Sequence, residues 1–258
     1  MIEYTTEGPI GYLTFNNPPA NSYAIEFMEE LGERVQQVAA DEGVRVVIVR
    51  SALERFFSAG ADIKAFTSNS PEQNLEMVRT AHVSLGLIAR TPKLFIAQIG
   101  GNALGGGLEI ALACDLRFAG EGQYAVGLPE ATLGLLPGNG GTQRLPRLIG
   151  VARALDLMVT GRRLSPREAF ELGIFDRLFP VDELAAQTRA YAEAIAHGAT
   201  RAIGAIKLAV MQGKDKSLEE GLALERELLA PLFRGEEARE GFQAFAEKRK
   251  PVYYRPAE

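Results

Sequence analysis

Apolar positions recur along this chain with two periods. Residues 10–15, 44–49 and 94–99 are short, nearly uninterrupted apolar runs, the pattern of strands covered on both faces. Between them the spacing lengthens to three and four. Ile25, Met28, Leu31, Val35 and Val38 predict an amphipathic helix over 23–40, capped by Ser22. Leu75, Val78, Ala81, Leu85 and Ile88 predict a second over 73–90, after a polar loop at 66–72. Strand, helix and buried strand in that order make a crossover unit, so the class is α/β.

The third apolar run leads into Gly100–Glu109, Gly-Gly-Asn-Ala-Leu-Gly-Gly-Gly-Leu-Glu, and then into an apolar helix over 108–114. Short strands are expected at 115–119 and 124–126. A constrained turn, Gly-Leu-Pro-Glu, ends at Glu130, and another glycine-rich segment covers 134–141. Beyond Gly150 helix formers dominate, with helices expected at 151–159, 165–172, 184–197, 202–211, 218–229 and 236–248. Gly161, Gly173, Gly198 and Gly213 are their expected ends. This divides the chain into an α/β core, 1–195, and a helical C-terminal region, 196–258.

Composition narrows the classes. With 258 residues the chain can bury a full core. A net charge of −5 argues against nucleic acid as the main partner. Cys114 is the only cysteine, so no disulfide forms within the chain, and a reducing compartment, the cytoplasm, is expected. One cysteine with the distant His82 and His197 does not make a Cys/His zinc site, and no metal is expected. The first residues lack a signal-peptide pattern. The uncharged run 94–108 is too short and too glycine-rich for a membrane span. The spacings of dinucleotide-binding and P-loop glycines are absent, as is the Gly-x-Ser-x-Gly elbow.

The chemistry concentrates in Gly105–Glu109. Consecutive glycines let backbone come close to another atom, and a helix start offers unpaired N–H groups to an anion or a polarised carbonyl. Glu109 faces the same side of that first turn as Gly106. Packing accounts for the glycines, but not for a carboxylate in so apolar a helix, where an unpaired buried charge is costly. The stretch Arg55–Lys64, with small residues at 58–61, offers a second close backbone approach.

Phe57-Ser-Ala-Gly-Ala-Asp-Ile-Lys64, Ala103-Leu-Gly-Gly-Gly-Leu-Glu109, Leu128-Pro-Glu130 and Pro137-Gly-Asn-Gly-Gly-Thr-Gln-Arg144 together resemble the crotonase (enoyl-CoA hydratase/isomerase) family. The likeness runs from about residue 10 to Pro251. It implies a crotonase-like ββα spiral core with a helical C-terminal trimerisation region, assembled as a homotrimer or homohexamer. It assigns the N–H groups of Ala61 and Gly106 to an oxyanion hole for an acyl-CoA thioester. Glu130 becomes the main proton donor to C2, and Glu109 the residue that orients and helps deprotonate water. Ala59 and Ile63 fall beside the adenine of coenzyme A, Arg55 and Lys64 near its phosphates, and Gly138 near the thioester. Phe245 and Lys248 would reach in from a neighbouring subunit.

The implied reaction is reversible addition of water to a trans-2-enoyl-CoA. Coenzyme A is part of the substrate, and no separate cofactor, membrane or nucleic acid is expected. The alternatives are a Δ3,Δ2-enoyl-CoA isomerase or other enolate chemistry on the same scaffold, or a non-catalytic acyl-CoA-binding or RNA-associated protein.

Overall fold

A computed structural model of the chain describes residues 1–254. Residues 255–258, the end of the expected helical region, lie outside the described residues. The elements in order are β1 Ile2–Glu7, β2 Ile10–Phe15, α1 Ile25–Ala40, β3 Val46–Ser51, β4 Phe56–Ser58, α2 Ile63–Ser68 and α3 Pro71–Arg90. There follow β5 Leu94–Ile99, β6 Asn102–Leu104, α4 Gly106–Ala113, β7 Leu116–Glu121, β8 Val126–Gly127, α5 Gly141–Ile149, α6 Val151–Thr160 and α7 Pro166–Glu171. The described chain closes with β9 Arg177–Pro180, α8 Leu184–Ala196, α9 Thr200–Gly213, α10 Leu218–Leu229 and α11 Glu236–Ala246.

Two sheets organise these elements. The larger has the order β1-β2-β3-β5-β7-β9, and the smaller is β4-β6-β8. Among the named strand pairs of the described residues only β1–β2 is antiparallel. The chain repeatedly lays one strand in the large sheet, the next in the small sheet, and then a helix: β3-β4-α2, β5-β6-α4, and β7-β8 followed by a 3-10 turn at Glu130–Leu133. That is the expected ββα spiral. Each turn carries its backbone from the small sheet into a glycine-rich connection on the same side, so the connections after β4, β6 and β8 become neighbours.

The inner strands β2, β3, β5 and β7 of the large sheet are largely buried on both faces, as the apolar runs predict, whereas the edge strands β1 and β9 are mostly exposed or half-buried. Val46 and Ile48 join Ile10, Tyr12, Ile96 and Phe118 beneath α8, while Val47 and Val49 point into the main core with α1, α3 and α4. The alternation is the two-residue period of a strand.

The expected long elements are present, with differences where tertiary contacts intervene. Ser22 caps nothing: α1 begins at Ile25, and its N-cap residue, Ala24, makes no side-chain cap. The chain stays extended there because Tyr23 forms a parallel bridge with Ala61. The expected polar loop 66–72 contains the end of α2, a break at Asn69, and a capping box in which Ser70 and Gln73 start α3. Leu75, placed on the apolar stripe of α3, is exposed, and Met77 is buried instead. The sequence pattern does not reveal strands β1, β4, β6 and β9 or helix α5; β4 and β6 have three residues each, too few to show a period. Gly161 and Gly173 end their helices at positive φ, whereas Gly213 is still inside α9. No helix among the described residues is long and apolar enough to cross a membrane.

Candidate active site

The spiral brings three glycine-bearing connections together, and backbone contact explains their composition. A Cβ on Gly107 would stand 2.1 Å from the Ser58 carbonyl oxygen, and one on Gly60 would stand 3.0 Å from the Gly106 nitrogen. The β4–α2 and β6–α4 connections therefore touch through their main chains. Gly105 (φ +53°) and Gly60 (φ +89°) also adopt the left-handed backbone that other residues resist. The N–H groups of Ala61 and Gly106 donate to no acceptor among the described residues. Gly106 opens α4, whose N-terminal N–H groups carry partial positive charge.

Glu109 lies in the first turn of α4, an eight-residue helix buried along its whole length. It is 1% exposed. Its Oε1 accepts the N–H groups of Asn139 at 2.8 Å and Gly141 at 2.7 Å, so the carboxylate also caps the start of α5. Burial pushes its pKa up to about 7; the two amides oppose the rise and the nearby Glu130 charge adds to it.

Glu130 follows Pro129 and opens the 3-10 turn after β8. Its Oε1 lies against Gly105, where a Cβ would stand 2.9 Å away, and its buried Oε2 has no hydrogen-bond partner. Burial raises the pKa of this carboxyl as well. An unpartnered buried carboxylate oxygen is unusual and asks for a functional explanation. Glu130 thus meets the Gly105 turn while Glu109 is held at Gly141, and the Glu130 charge opposes ionisation of Glu109.

Two side chains without an assigned role in the sequence complete the cluster. The Tyr23 ring is buried against α4, with its hydroxyl where a Gly106 side chain would begin: a Cβ there would stand 1.6 Å from Oη. Asn139 donates from Nδ2 to that hydroxyl. Its own carbonyl accepts from Arg144 at 2.8 Å. Asn139 lies inside the glycine-rich motif 137–144, but Tyr23 carries no sequence signal beyond opening a helix pattern. Gly138 is held by His82, whose Nε2 lies 2.7 Å from the Gly138 carbonyl. Val78 is the nearest side chain to the space over Gly138.

The remaining sequence candidates divide into two groups. Arg55, Ala59, Ile63 and Lys64 lie on the stretch through β4 and α2 that also carries Ala61. The Arg55 carbonyl accepts from Asn102, Ala59 N–H donates to the Ala20 carbonyl, and Lys64 N–H donates to Asp62 in the α2 cap. Ile63 is 53% exposed beside them. Phe245, on α11, is 87% exposed, and Lys248 follows that helix with φ +56°. Within one chain α11 is tied to Arg45 and to the Arg201 and Ala202 amides through Glu237, none of which belongs to the glutamate cluster.

Comparison with known proteins gives one answer. The family model described as enoyl-CoA hydratase/isomerase matches residues 5–256. A Bacillus subtilis protein named probable enoyl-CoA hydratase is 40% identical over 247 residues, 95% of each chain. A Mycosarcoma maydis protein named enoyl-CoA isomerase/hydratase is 36% identical, over 89% of this chain and 84% of its own. The solved structure of an enoyl-CoA hydratase from Geobacillus kaustophilus superposes with a TM-score of 0.96. It is 44% identical and covers 98% of this chain and 96% of its own.

Proposed function

We propose, since the chain belongs to the enoyl-CoA hydratase/isomerase family, that it adds water reversibly across the 2,3 double bond of a trans-2-enoyl-CoA to give the 3-hydroxyacyl-CoA. The observation that carries this reading is the pair of carboxyl groups flanking the start of α4: Glu109, buried and held by the Asn139 and Gly141 amides, and Glu130, set against Gly105 with a buried, unpartnered Oε2. Burial raises the pKa of both, that of Glu109 to about 7, and a carboxyl pair that shares one proton makes acid and base available together. No separate cofactor is needed for that exchange.

In this reading the thioester oxygen takes the unpaired N–H groups of Ala61 and Gly106. Water is held by the glutamates and its oxygen bonds to C3. The π electrons move toward C1, and the charge gathers on the thioester oxygen. The water proton passes to the ionised carboxylate, and the protonated carboxyl, assigned to Glu130, gives its proton to C2. Return of one proton to Glu130 resets the pair. Donors fixed in place for a developing oxyanion are worth about 3–4 kcal/mol each in well-studied enzymes. The edge carrying Arg55, Ala59, Ile63 and Lys64 continues from Ala61 and is proposed to take coenzyme A. Phe245 and Lys248 are proposed to act across subunits of a homotrimer or homohexamer.

The test is the loss of conjugated-thioester absorbance when crotonyl-CoA is added. We expect turnover, with a fall of about 10²–10⁴-fold in both Glu109→Gln and Glu130→Gln. Hydration by Glu109→Gln near the wild-type rate would sink the two-carboxylate reading. The isomerase reading is supported by the name of the Mycosarcoma relative. It predicts turnover of a 3-enoyl-CoA that survives loss of Glu109 but not of Glu130.

A further inference from the structure

Tyr23 is tied to both halves of the glycine cluster. Its backbone N–H donates to the Gly60 carbonyl at 3.0 Å, and its carbonyl accepts from Asp62 at 2.9 Å, so it brackets Ala61. Its ring lies on Gly106. The hydroxyl therefore reaches the cluster from a backbone locked on both sides.

The hydrogen bond it makes is one-directional. An amide NH₂ is a donor only, so Asn139 Nδ2 uses a lone pair of the Tyr23 oxygen and leaves the O–H hydrogen to be given elsewhere. No acceptor for it is found among the described residues, although the ring is buried. Burial first, and then the nearby carboxyls of Glu109 and Glu130, keep the phenol protonated. A phenol in this place is a fixed proton-bearing donor among two carboxyls. The ionised carboxylate can accept a hydrogen of the water molecule but cannot give one to its oxygen, and the one O–H of the protonated carboxyl is committed to C2.

We propose that the Tyr23 hydroxyl is a third catalytic donor of the site, giving its hydrogen bond to the oxygen that is added to C3 or lost from it. This rests on the hydratase reading above. In the hydration direction the phenol fixes the water through one lone pair and leaves the other for C3. In the reverse direction it shares charge on the departing oxygen, and it gives up no proton in either. Asn139 is the positioning residue, since its amide sets which way the O–H turns.

The test uses Tyr23→Phe, which keeps the ring on Gly106 and removes only the oxygen. Three quantities are read on wild type and variant: kcat for crotonyl-CoA, the dissociation constant of saturated butyryl-CoA, and exchange of its C2 hydrogen in D₂O. The last needs the oxyanion donors and a carboxylate but no attacking water. We expect kcat to fall about tenfold, the size of one lost hydrogen bond, with butyryl-CoA affinity and exchange within twofold of wild type. Unchanged kcat overturns the proposal. A parallel loss of butyryl-CoA affinity overturns it too, because the residue is then a wall of the acyl site. A parallel loss of exchange does the same, because the donor then serves the thioester oxygen. Should the Phe variant not fold, Asn139→Ala decides by the same readings, with a smaller fall in kcat expected. If wild type hydrates no enoyl-CoA, it is the hydratase reading that fails.

Discussion

Glu109 holds two positions at once: it caps α5 through two amides and stands in the proposed site with its pKa near 7. Its folded pKa lies above the ordinary value, so the native state binds the proton more tightly than the unfolded chain does. Stability linked to this group is therefore greatest at low pH and declines as pH rises from about 4.5 through about 7. A glutamine still accepts from Asn139 and Gly141 but carries no charge to bury. Glu109→Gln is thus expected to melt a few degrees higher than wild type at pH 8, with the gain vanishing toward pH 5. Thermal denaturation across that range checks it. A melting temperature below wild type at pH 8 would show that the ionised carboxylate stabilises the α5 start by more than its burial costs.

At the scale of elements, the β6–α4 connection shows why a glycine run precedes a helix here. Gly106 makes room for the Tyr23 hydroxyl and Gly107 for the Ser58 carbonyl. The two obstacles differ in kind, since one is a side-chain tip and the other is backbone of the opposite connection. Gly107→Ala is expected to destabilise the fold by about 3 kcal/mol or more, in the range of severe overpacking. Gly106→Ala is expected to be partly rescued by Tyr23→Ala, because that removes the ring in its way. Urea denaturation of the single and double variants checks both. Additive effects of Gly106→Ala and Tyr23→Ala would contradict the contact. These glycines were legible as a close approach, but what they approach was not: α4, β4 and Tyr23 meet only through the parallel pairing of β4 with β6 and the bridge from Tyr23 to Ala61.

Across the whole molecule, the C-terminal helices are joined to the core by buried polar links and yet leave apolar surface uncovered. Lys207 of α9 reaches Asp115 at 2.8 Å and the carbonyls of Ile88 and Lys93 at 2.7 Å, and Arg45, just before β3, meets Glu237 of α11. On the outside, Leu218 of α10 and Phe245 of α11 are 80% and 87% exposed, with Phe233 and Phe242 nearby in sequence. Apolar side chains of this size so exposed are what an association surface shows. Light scattering is expected to give three or six times the chain mass of 27.9 kDa. A single-chain mass at micromolar concentration would remove the proposed roles of Phe245 and Lys248 across subunits.

The sequence by itself determined the α/β class, the long elements and the segments that carry Ala61, Gly106, Glu109 and Glu130. The class, the elements and the glycine segments rest on local periods and clustering, each legible within a few residues, and Ala61 and Glu130 were marked by the resemblance of short motifs to a known family. Only the tertiary structure decided that Glu130 lies against Gly105, that Asn139 and Gly141 hold Glu109, and that Tyr23 brackets Ala61 and rests on Gly106. Each of those contacts joins residues tens of positions apart, from turns of the spiral whose shortest strands are too brief to show a period. Their meeting follows from the register of two sheets, and register depends on every strand at once.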